Sequence, residues 1–375
     1  MVDNLGANYH QKLYLHRLNS PQSDDLLIYQ RPDEKEWGFG AKISDDGEYL
    51  VLHVWSGTDT RNRLFYRPLH AETPFVELIS ELEANYEFVG NDGPVFYLQT
   101  NWQAARGRLI ALDTAHPARA NWRTLIPEGP DTLQHVKMAY NEFVAVHLHH
   151  AHHRLARYSL SGDALGAIEL PAMGSIWAVS DQWSLHGSRD SDELLFTFHS
   201  FAQPPTVYRF HFPSGERQLL YAPPIAFDFS PYETRQVFVT GKDGAQIPLF
   251  LIHRRGVAHD GQNPLWLYGY GGFNIAVTPA FAISRLVWLE RGGVLAVACL
   301  RGGAEYGEDW HKAGMLLNKQ NVFDDFIACA EHLIASGLTS TPKLAIEGRS
   351  NGGLLVGACL TQRPDLFGAA IPVVG

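Results

Sequence analysis

Short runs in which apolar and polar residues alternate fill the chain up to about residue 230, and clusters of turn-forming residues separate them. Such alternation is typical of strands that bury one face. In SDDGEYLVLHVWSG at 44–57, Asp-Asp-Gly precedes an alternating run, as expected of a hairpin turn whose glycine has a positive φ. No long segment there has apolar residues at helical spacing, so this part of the chain is predicted to be all-β.

A short motif recurs within the all-β part. Its copies are QKLYLHRL at 11–18, NRLFYRPL at 62–69, GRLIALD at 107–113, HRLARYSLSGD at 153–163 and TVYRFHFPSGE at 206–216. Aligning Leu13, Leu64, Leu109, Leu155 and Val207 gives steps of 51, 45, 46 and 52 residues. A period of about 45–50 residues with several strands per unit is typical of β-propeller blades. We therefore expect an incomplete propeller of about five blades.

The pattern changes after about residue 235. AQIPLFLIHRR, PLWLYGYGG, GGVLAVACLRGG, KLAIEGRS and AAIPVVG are short apolar strands, with helices between or after them. Strands that alternate with helices predict a mostly parallel sheet covered on both faces. The sequence thus predicts a partial propeller domain at 1–230 and a partial α/β-hydrolase domain at 231–375.

One of these helices, QNVFDDFIACAEHLIASG at 320–337, has a recognisable apolar side. Residues at helical spacing there are Phe323, Phe326, Ile327, Ala330 and Ile334. Asp324, Asp325 and Glu331 fall mostly elsewhere.

Charge and composition exclude several classes of protein. The net charge of −10 disfavours nucleic acid and anionic membranes as partners, because phosphates would be repelled. The three cysteines, Cys299, Cys329 and Cys359, do not form a disulfide framework. The first residues lack a basic start followed by an apolar run, and no segment has the roughly 18 apolar residues of a membrane span. We expect a cytoplasmic protein.

The segment KLAIEGRSNGGLLVGA at 343–358 carries the strongest chemical signal. It has the order strand, Gly-x-Ser-x-Gly, helix, which is typical of the nucleophile elbow of α/β-hydrolases. Ser350 would stand on a sharp turn, and the Asn351 N–H at the start of the helix would face a developing oxyanion. The alternative is that Ser350 only caps the helix, but a cap does not explain the glycines Gly348, Gly352 and Gly353.

A second glycine-rich segment, PLWLYGYGGFN at 264–274, follows an earlier strand. In such hydrolases, the loop at this place supplies the second oxyanion donor. The candidate donors are the loop N–H groups and the phenols of Tyr268 and Tyr270. The alternative is a strand end with buried tyrosines.

At this point the sequence resembles the prolyl oligopeptidases, serine peptidases in which a seven-bladed propeller caps an α/β-hydrolase domain. The resemblance rests on YGYGGFN, LAVACLRGGAEYGEDWHKAG, NKQNVFDDF and GRSNGGLLVGACLTQRPDLFG. It implies Ser350 as the nucleophile, the Asn351 N–H and the Tyr270 hydroxyl as the oxyanion hole, and Phe273 as a wall of the proline pocket. It also implies a monomer without cofactor or metal that acts on short proline-containing peptides.

Two other functions stay open from the sequence. Related oligopeptidases cut after basic residues, but they lack the YGYGGF form. The chain could also be a propeller-based interaction protein without catalytic activity.

The sequence lacks two residues that this chemistry needs. A serine is activated by a histidine that a carboxylate orients, and in α/β-hydrolases the order along the chain is Ser, Asp, His. No histidine follows Ser350, and Asp365 is the sole acid after it. His311 and His332 lie upstream and are weak substitutes. We expect a chain truncated at both ends and almost inactive alone.

Two further clusters of ionisable residues are candidate sites. HLHHAHHR at 147–154 suggests either a transition-metal site or a solvated hairpin, and the hairpin is favoured. GGAEYGEDW contains Glu305, Glu308 and Asp309, for which helix capping and surface solvation are favoured over an acid/base pair.

Overall fold

The computed structural model describes residues 9–179 and 182–375, so the first eight residues, on which part of the expectation about a signal segment rests, lie outside it. The chain forms two compact units, Met1–Pro127 and Glu128–Gly375. The predicted domain division at residue 230 stays a prediction.

The first unit consists of antiparallel sheets. Its strands are β1 Lys12–Leu15, β2 Leu26–Gln30, β3 Trp37–Ile43, β4 Tyr49–Ser56, β5 Arg63–Pro68, β6 Val76–Ile79, β7 Tyr86–Asp92, β8 Val95–Thr100, β9 Arg108–Asp113 and β10 Arg123–Ile126. β1 and β2 form a pair, β3–β6 form one four-stranded sheet and β7–β10 form another. Buried aromatic and aliphatic side chains from these sheets, such as Phe65 and Phe96, fill the core.

The second unit begins with two more antiparallel sheets. Their strands are β11 Thr132–Ala139, β12 Glu142–His149, β13 His152–Ser159, β14 Ala164–Ile168, β15 Ser175–Ile176, β16 Ala178–Val179, β17 Gln182–Trp183, β18 Leu185–His186, β19 Glu193–His199, β20 Thr206–His211 and β21 Glu216–Tyr221. β11–β14 form one sheet, β15 and β18–β21 form the next, and β16 pairs with β17.

Four of the five copies of the sequence repeat lie in corresponding strands of antiparallel sheets with four or five strands. Leu64 lies in β5 and Leu109 in β9, each the third strand of its sheet. Leu155 in β13 and Val207 in β20 occupy the corresponding strands of the later sheets. The repeat thus marks a recurring antiparallel sheet of several strands, as predicted, in four of its five copies, whereas the first copy, with Leu13 in β1, lies in the two-stranded pair.

The rest of the second unit is a six-stranded mixed sheet with helices. Its elements are β22 Tyr232–Thr240, β23 Gln246–Arg254, β24 Leu265–Gly269, α1 Ile283–Glu290, β25 Val294–Ala298, α2 Glu308–Lys312, α3 Gln320–Ala335, β26 Leu344–Arg349, α4 Asn351–Gln362 and β27 Ala369–Val373. The strand order is β22-β23-β25-β24-β26-β27, and the last four strands in this order are parallel. The sequence analysis missed β22, α1 and α2.

Helices cover both faces of the sheet, so its central strands are apolar throughout. Along β25, Ala296 belongs to the core under α3 and α4, whereas Leu295 and Val297 belong to the core beside α1. Every residue of β25 is buried for this reason. β27 lies at one edge, where half of the Ile371 surface is exposed.

The buried side of α3 differs from the predicted one by about one residue. The fully buried positions are Val322, Asp325, Phe326, Cys329, Ala330 and Leu333. Phe323, Ile327 and Ile334 are only partly buried at its margins. Asp325, which the spacing placed mostly off the apolar side, is fully buried, and its carboxylate pairs with the buried guanidinium of Arg301.

None of the helices in the described ranges is long and apolar enough to cross a membrane.

Candidate active site

The turn between β26 and α4 holds Ser350 in a conformation that residues with a side chain rarely adopt. Ser350 has φ 57° and ψ −119°. Its side chain is exposed, and within the described residues it makes no hydrogen bond that caps α4. The interpretation of Ser350 as a simple helix cap is therefore wrong.

Two glycines allow the chain to turn this sharply. A Cβ on Gly348 would overlap the Gly352 carbonyl group, and a Cβ on Gly352 would lie 2.7 Å from the Gly269 carbonyl oxygen. The Ser350 N–H donates to the Val373 carbonyl oxygen at 2.8 Å, which fixes the turn against the end of β27. The strand, turn and helix have the arrangement of a nucleophile elbow.

The glycine-rich loop after β24 lies beside this turn. β24 and β26 are parallel neighbours with Tyr268 opposite Glu347, so both strands end at the same edge of the sheet. A Cβ built on Gly352 would lie 3.7 Å from Cδ2 of Tyr270, which places the half-buried Tyr270 ring next to the first turn of α4. The structure thus brings Ser350, Asn351 and Tyr270 together.

Hydrogen bonds from the Asn351 side chain connect the loop and the elbow. Its Nδ2 donates to the Tyr270 carbonyl oxygen at 2.5 Å, and its Oδ1 accepts from Lys319 Nζ at 2.9 Å. A Cβ on Gly272 would come within 2.5 Å of the same Nδ2, so only glycine permits this contact. The Asn351 backbone N–H is in the first turn of α4, where no carbonyl within the helix accepts from it.

Phe273 lies on the same loop and points its ring into solvent. Its side chain is 62% exposed and its φ is 55°. The following residue fixes the loop, because the Asn274 N–H donates to the Gly302 carbonyl oxygen at 3.1 Å. An exposed aromatic ring on the loop that packs against Asn351 is available to contact a ligand.

The candidate bases from the sequence take other contacts. His311 Nδ1 lies 2.8 Å from the Gly302 carbonyl oxygen, where it supports the Phe273 loop. Asp365 accepts from the guanidinium of Arg363, which lowers the pKa of Asp365. His332 lies on α3. In the described part of the chain, none of these three side chains hydrogen-bonds the Ser350 hydroxyl.

Glu305 is buried, so the expectation of surface solvation was wrong for this residue. Its Oε1 accepts from the Val277 N–H at 2.8 Å, and its Oε2 has no partner in the described part of the chain. Burial raises the pKa of Glu305 to about 8, so the carboxyl group is mostly protonated at neutral pH. Gly303 must be a glycine, because a Cβ there would overlap Oε2 of Glu305.

The histidine-rich segment forms the hairpin of β12 and β13. His150 and Ala151 both have positive φ in the turn. His149 Nδ1 bonds to Asp131 Oδ1 at 2.7 Å, and the fully buried His153 bonds to Gln134. No three potential ligands converge on one point in the described ranges. The predicted hairpin is confirmed, but the prediction that its histidines are solvated is wrong for His153, which is buried.

Sequence reasoning missed one functional candidate, Lys319. Its Nζ also donates to the Gly271 carbonyl oxygen at 2.8 Å, and partial burial lowers its pKa. The only sequence signal for Lys319 was its place in NKQNVFDDF, one of the segments that resemble the family. A lysine before a helix normally faces water, so the residue type did not predict these contacts.

Two family models match this chain. One, described as "Prolyl oligopeptidase, N-terminal beta-propeller domain", matches residues 2–223, and the other, "Prolyl oligopeptidase family", matches residues 279–375. Together they support propeller blades followed by part of an α/β-hydrolase domain.

Curated and solved relatives agree with these models. The prolyl endopeptidase of Elizabethkingia meningoseptica is 36% identical over 370 residues, which are 99% of this chain and 51% of the relative. That of Dictyostelium discoideum is 34% identical over 392 residues, covering 98% and 50%. Among solved structures, prolyl oligopeptidase B from Galerina marginata, bound to a 35mer hydrolysis and macrocyclization substrate, superposes with a TM-score of 0.90 at 30% identity. The superposition covers 97% of this chain and 52% of the Galerina marginata chain. The chain spans about half the length of the curated relatives that it matches.

Proposed function

Because the chain belongs to the prolyl oligopeptidase family, we propose that it carries the nucleophile and the oxyanion hole of a serine peptidase that cleaves short peptides on the carboxyl side of proline. The observation that supports this most is the exposed Ser350 on its strained turn, with the Tyr270 loop bonded to the next residue. Neither a cut after basic residues nor a purely non-catalytic role is favoured by the relatives.

In the proposed reaction, Ser350 Oγ attacks the carbonyl carbon of the proline residue while a base takes its proton. The carbonyl oxygen becomes an oxyanion, which accepts hydrogen bonds from the Asn351 N–H and the Tyr270 hydroxyl. Collapse breaks the C–N bond, and the leaving amine takes the proton from the base. Water then attacks the acyl-enzyme, and the proline acid leaves as Ser350 regains its proton.

Phe273 would select the proline ring. A proline ring has no donor to satisfy, so an apolar aromatic surface binds it without leaving a polar group unpaired. The exposed Phe273 ring offers such a surface three residues after Tyr270. We expect Phe273→Ala to weaken binding of proline peptides.

The base is not supplied by the groups that contact the elbow in the described residues. The proposed reaction therefore needs a histidine and a carboxylate in addition to Ser350, Asn351 and Tyr270. We propose short proline-containing peptides as substrates and a monomeric state. We also propose a cytoplasmic location, because the three free cysteines fit a reducing compartment.

A chimera tests the proposed activity. The 375-residue chain would be followed by the segment of the Elizabethkingia meningoseptica enzyme that lies beyond the matched region. We expect it to release chromophore from a blocked Gly-Pro anilide, and Ser350→Ala to abolish release. A folded chimera without Ser350-dependent turnover, or one that prefers an arginine anilide, would contradict the proposal.

A further inference from the structure

Lys319 connects three separate elements next to the proposed nucleophile. It immediately precedes α3, and its ammonium group donates to Gly271 in the loop after β24 and to Asn351 at the start of α4. The two bonds measure 2.8 and 2.9 Å, within the normal range for a charged donor.

The hydrogen bonds continue from Lys319 to Tyr270. Lys319 holds Oδ1 of Asn351, which orients the amide so that its Nδ2 donates to the Tyr270 carbonyl oxygen. Both residues that would stabilise the oxyanion therefore belong to this network. The loop itself is rich in glycine, with Gly271 at φ 62° and Phe273 at φ 55°, so its backbone needs external contacts to hold one conformation.

The partners of Lys319 show that the contact is not an ordinary ion pair. Both are neutral oxygen atoms, and burial of the ammonium group is the one influence on its pKa, which it lowers. No carboxylate pairs with Lys319 in the described part of the chain, and partial burial of a charge without a counter-charge is unfavourable for folding. The main contribution of Lys319 is therefore to orient the loop and not to stabilise the folded chain.

We propose that Lys319 is a positioning residue that sets the spacing between the Asn351 N–H and the Tyr270 hydroxyl. The inference rests on the proposed function, since these two groups are the proposed oxyanion hole. Donors must be aligned closely with the developing negative charge, and a misplacement of about 1 Å costs on the order of a hundredfold in rate. Loss of the Lys319 contacts would release the loop from the elbow.

A proline boronic acid measures the oxyanion hole without requiring turnover. An N-blocked dipeptide that ends in the boronic acid analogue of proline would be titrated into the 375-residue chain. The Ser350 O–H bond breaks, an Oγ–B bond forms and the proton goes to water, which leaves a tetrahedral boronate. Because water takes the proton, the adduct can form without a histidine, and wild type and variants are compared at equilibrium under the same pH. Calorimetry gives the affinity, and boron NMR reports the tetrahedral state.

Lys319→Met is expected to weaken boronate binding by about tenfold or more, because the donors are no longer aligned. Binding of the matching blocked Gly-Pro acid, which has no tetrahedral centre, should change by less than about twofold. Lys319→Arg should restore part of the boronate affinity. The exposed Lys343 is the matched control, and Lys343→Met should bind like the wild type.

The outcomes separate the positioning role of Lys319 from the proposed serine peptidase function. Equal boronate affinity of Lys319→Met and wild type would overturn the positioning role and leave the serine site intact. If wild type and Ser350→Ala bind the boronate equally, the proposed function is wrong and the inference fails with it. Should Lys319→Met unfold, as judged by circular dichroism, Lys319→Gln would be measured in the same way, with the same criteria.

Discussion

The exposed hydroxyl of Ser350 depends on neighbouring residues that have no side chain. The Gly-x-Ser-x-Gly spacing made this turn predictable from the sequence, because the residues that permit it lie within two positions of the serine. The contacts of Lys319 were not predictable, since Gly271 is 48 residues away in the sequence. Glu305 was misjudged for the same reason, because its partner Val277 is 28 residues away.

Gly352→Ala tests the steric argument for the elbow. The added Cβ would lie 2.7 Å from the Gly269 carbonyl oxygen, so the backbone must move. We expect a loss of about 1–3 kcal/mol in the free energy of unfolding, with weaker boronate binding. Gly357→Ala in the same helix is the matched control, since a Cβ there meets nothing within 4 Å. It should be stabilising by about 0.5–1 kcal/mol. Equal stability of both variants in urea titrations would refute the argument.

Glu305→Gln tests the protonation of the buried carboxyl group. The pKa of Glu305 rises from its ordinary value of 4.5 to about 8 in the folded chain. Between these values the unfolded chain has lost the proton and the folded chain keeps it, so wild-type stability falls as pH rises. Glutamine does not ionise, so position 305 no longer makes the stability of Glu305→Gln depend on pH.

The difference between the two proteins should therefore grow with pH. Relative to wild type, Glu305→Gln should gain about 1.4 kcal/mol of unfolding free energy per pH unit in this interval. Urea titrations at pH 5 and pH 7.5 measure it. A difference that stays constant between the two pH values would show that Glu305 is ionised in the folded chain.

At the scale of elements, α3 shows what periodicity can and cannot predict. The apolar spacing correctly predicted a helix, which spans Gln320–Ala335. It did not predict Asp325 on the buried side, because a buried acid is recognisable only from its partner. That partner, Arg301, follows β25 and also contacts Asp243 after β22, so one guanidinium connects three elements. The contact between Arg301 and Asp325 holds α3, which begins directly after Lys319, against the sheet.

Asp325→Ala should therefore destabilise the protein strongly. It leaves the buried guanidinium of Arg301 without its main partner, which costs about 3–5 kcal/mol. Asp324→Ala is the matched control, because the neighbouring carboxylate pairs at 3.6 Å with an exposed lysine. Its cost should be below about 1 kcal/mol. Thermal unfolding of both variants provides the comparison, and similar midpoints would rule out a structural role for the Arg301 pair.

At the scale of the whole molecule, the sequence repeat and the change of pattern predicted most of the architecture. The repeat identified the third strand of each meander because that strand carries a buried leucine in three sheets, Leu64, Leu109 and Leu155. Short elements were not predicted. The helix α1, for example, has eight residues, which are too few for a clear helical period. The histidine run suggested solvent exposure, whereas folding buries His153 beside Trp183, with ring nitrogens bonded to Gln134 and to the Ile176 N–H.

The proposed site predicts how the chain behaves in isolation. If Ser350 is the nucleophile and Asn351 and Tyr270 form the oxyanion hole, the 375-residue chain, with no base bonded to the serine in the described residues, should hydrolyse a blocked Gly-Pro anilide barely above background. The assay would be run beside Ser350→Ala as a blank. Turnover that Ser350→Ala abolishes would mean that a histidine within the chain serves as the base.

The most direct test of the serine site is a crystal structure of the chain with the proline boronic acid bound. We predict boron bonded to Ser350 Oγ, a boronate oxygen within hydrogen-bond distance of the Asn351 nitrogen and the Tyr270 hydroxyl, and the proline ring against Phe273. A boronate oxygen that points away from both donors, or a probe bound without contact to Ser350, would contradict the account.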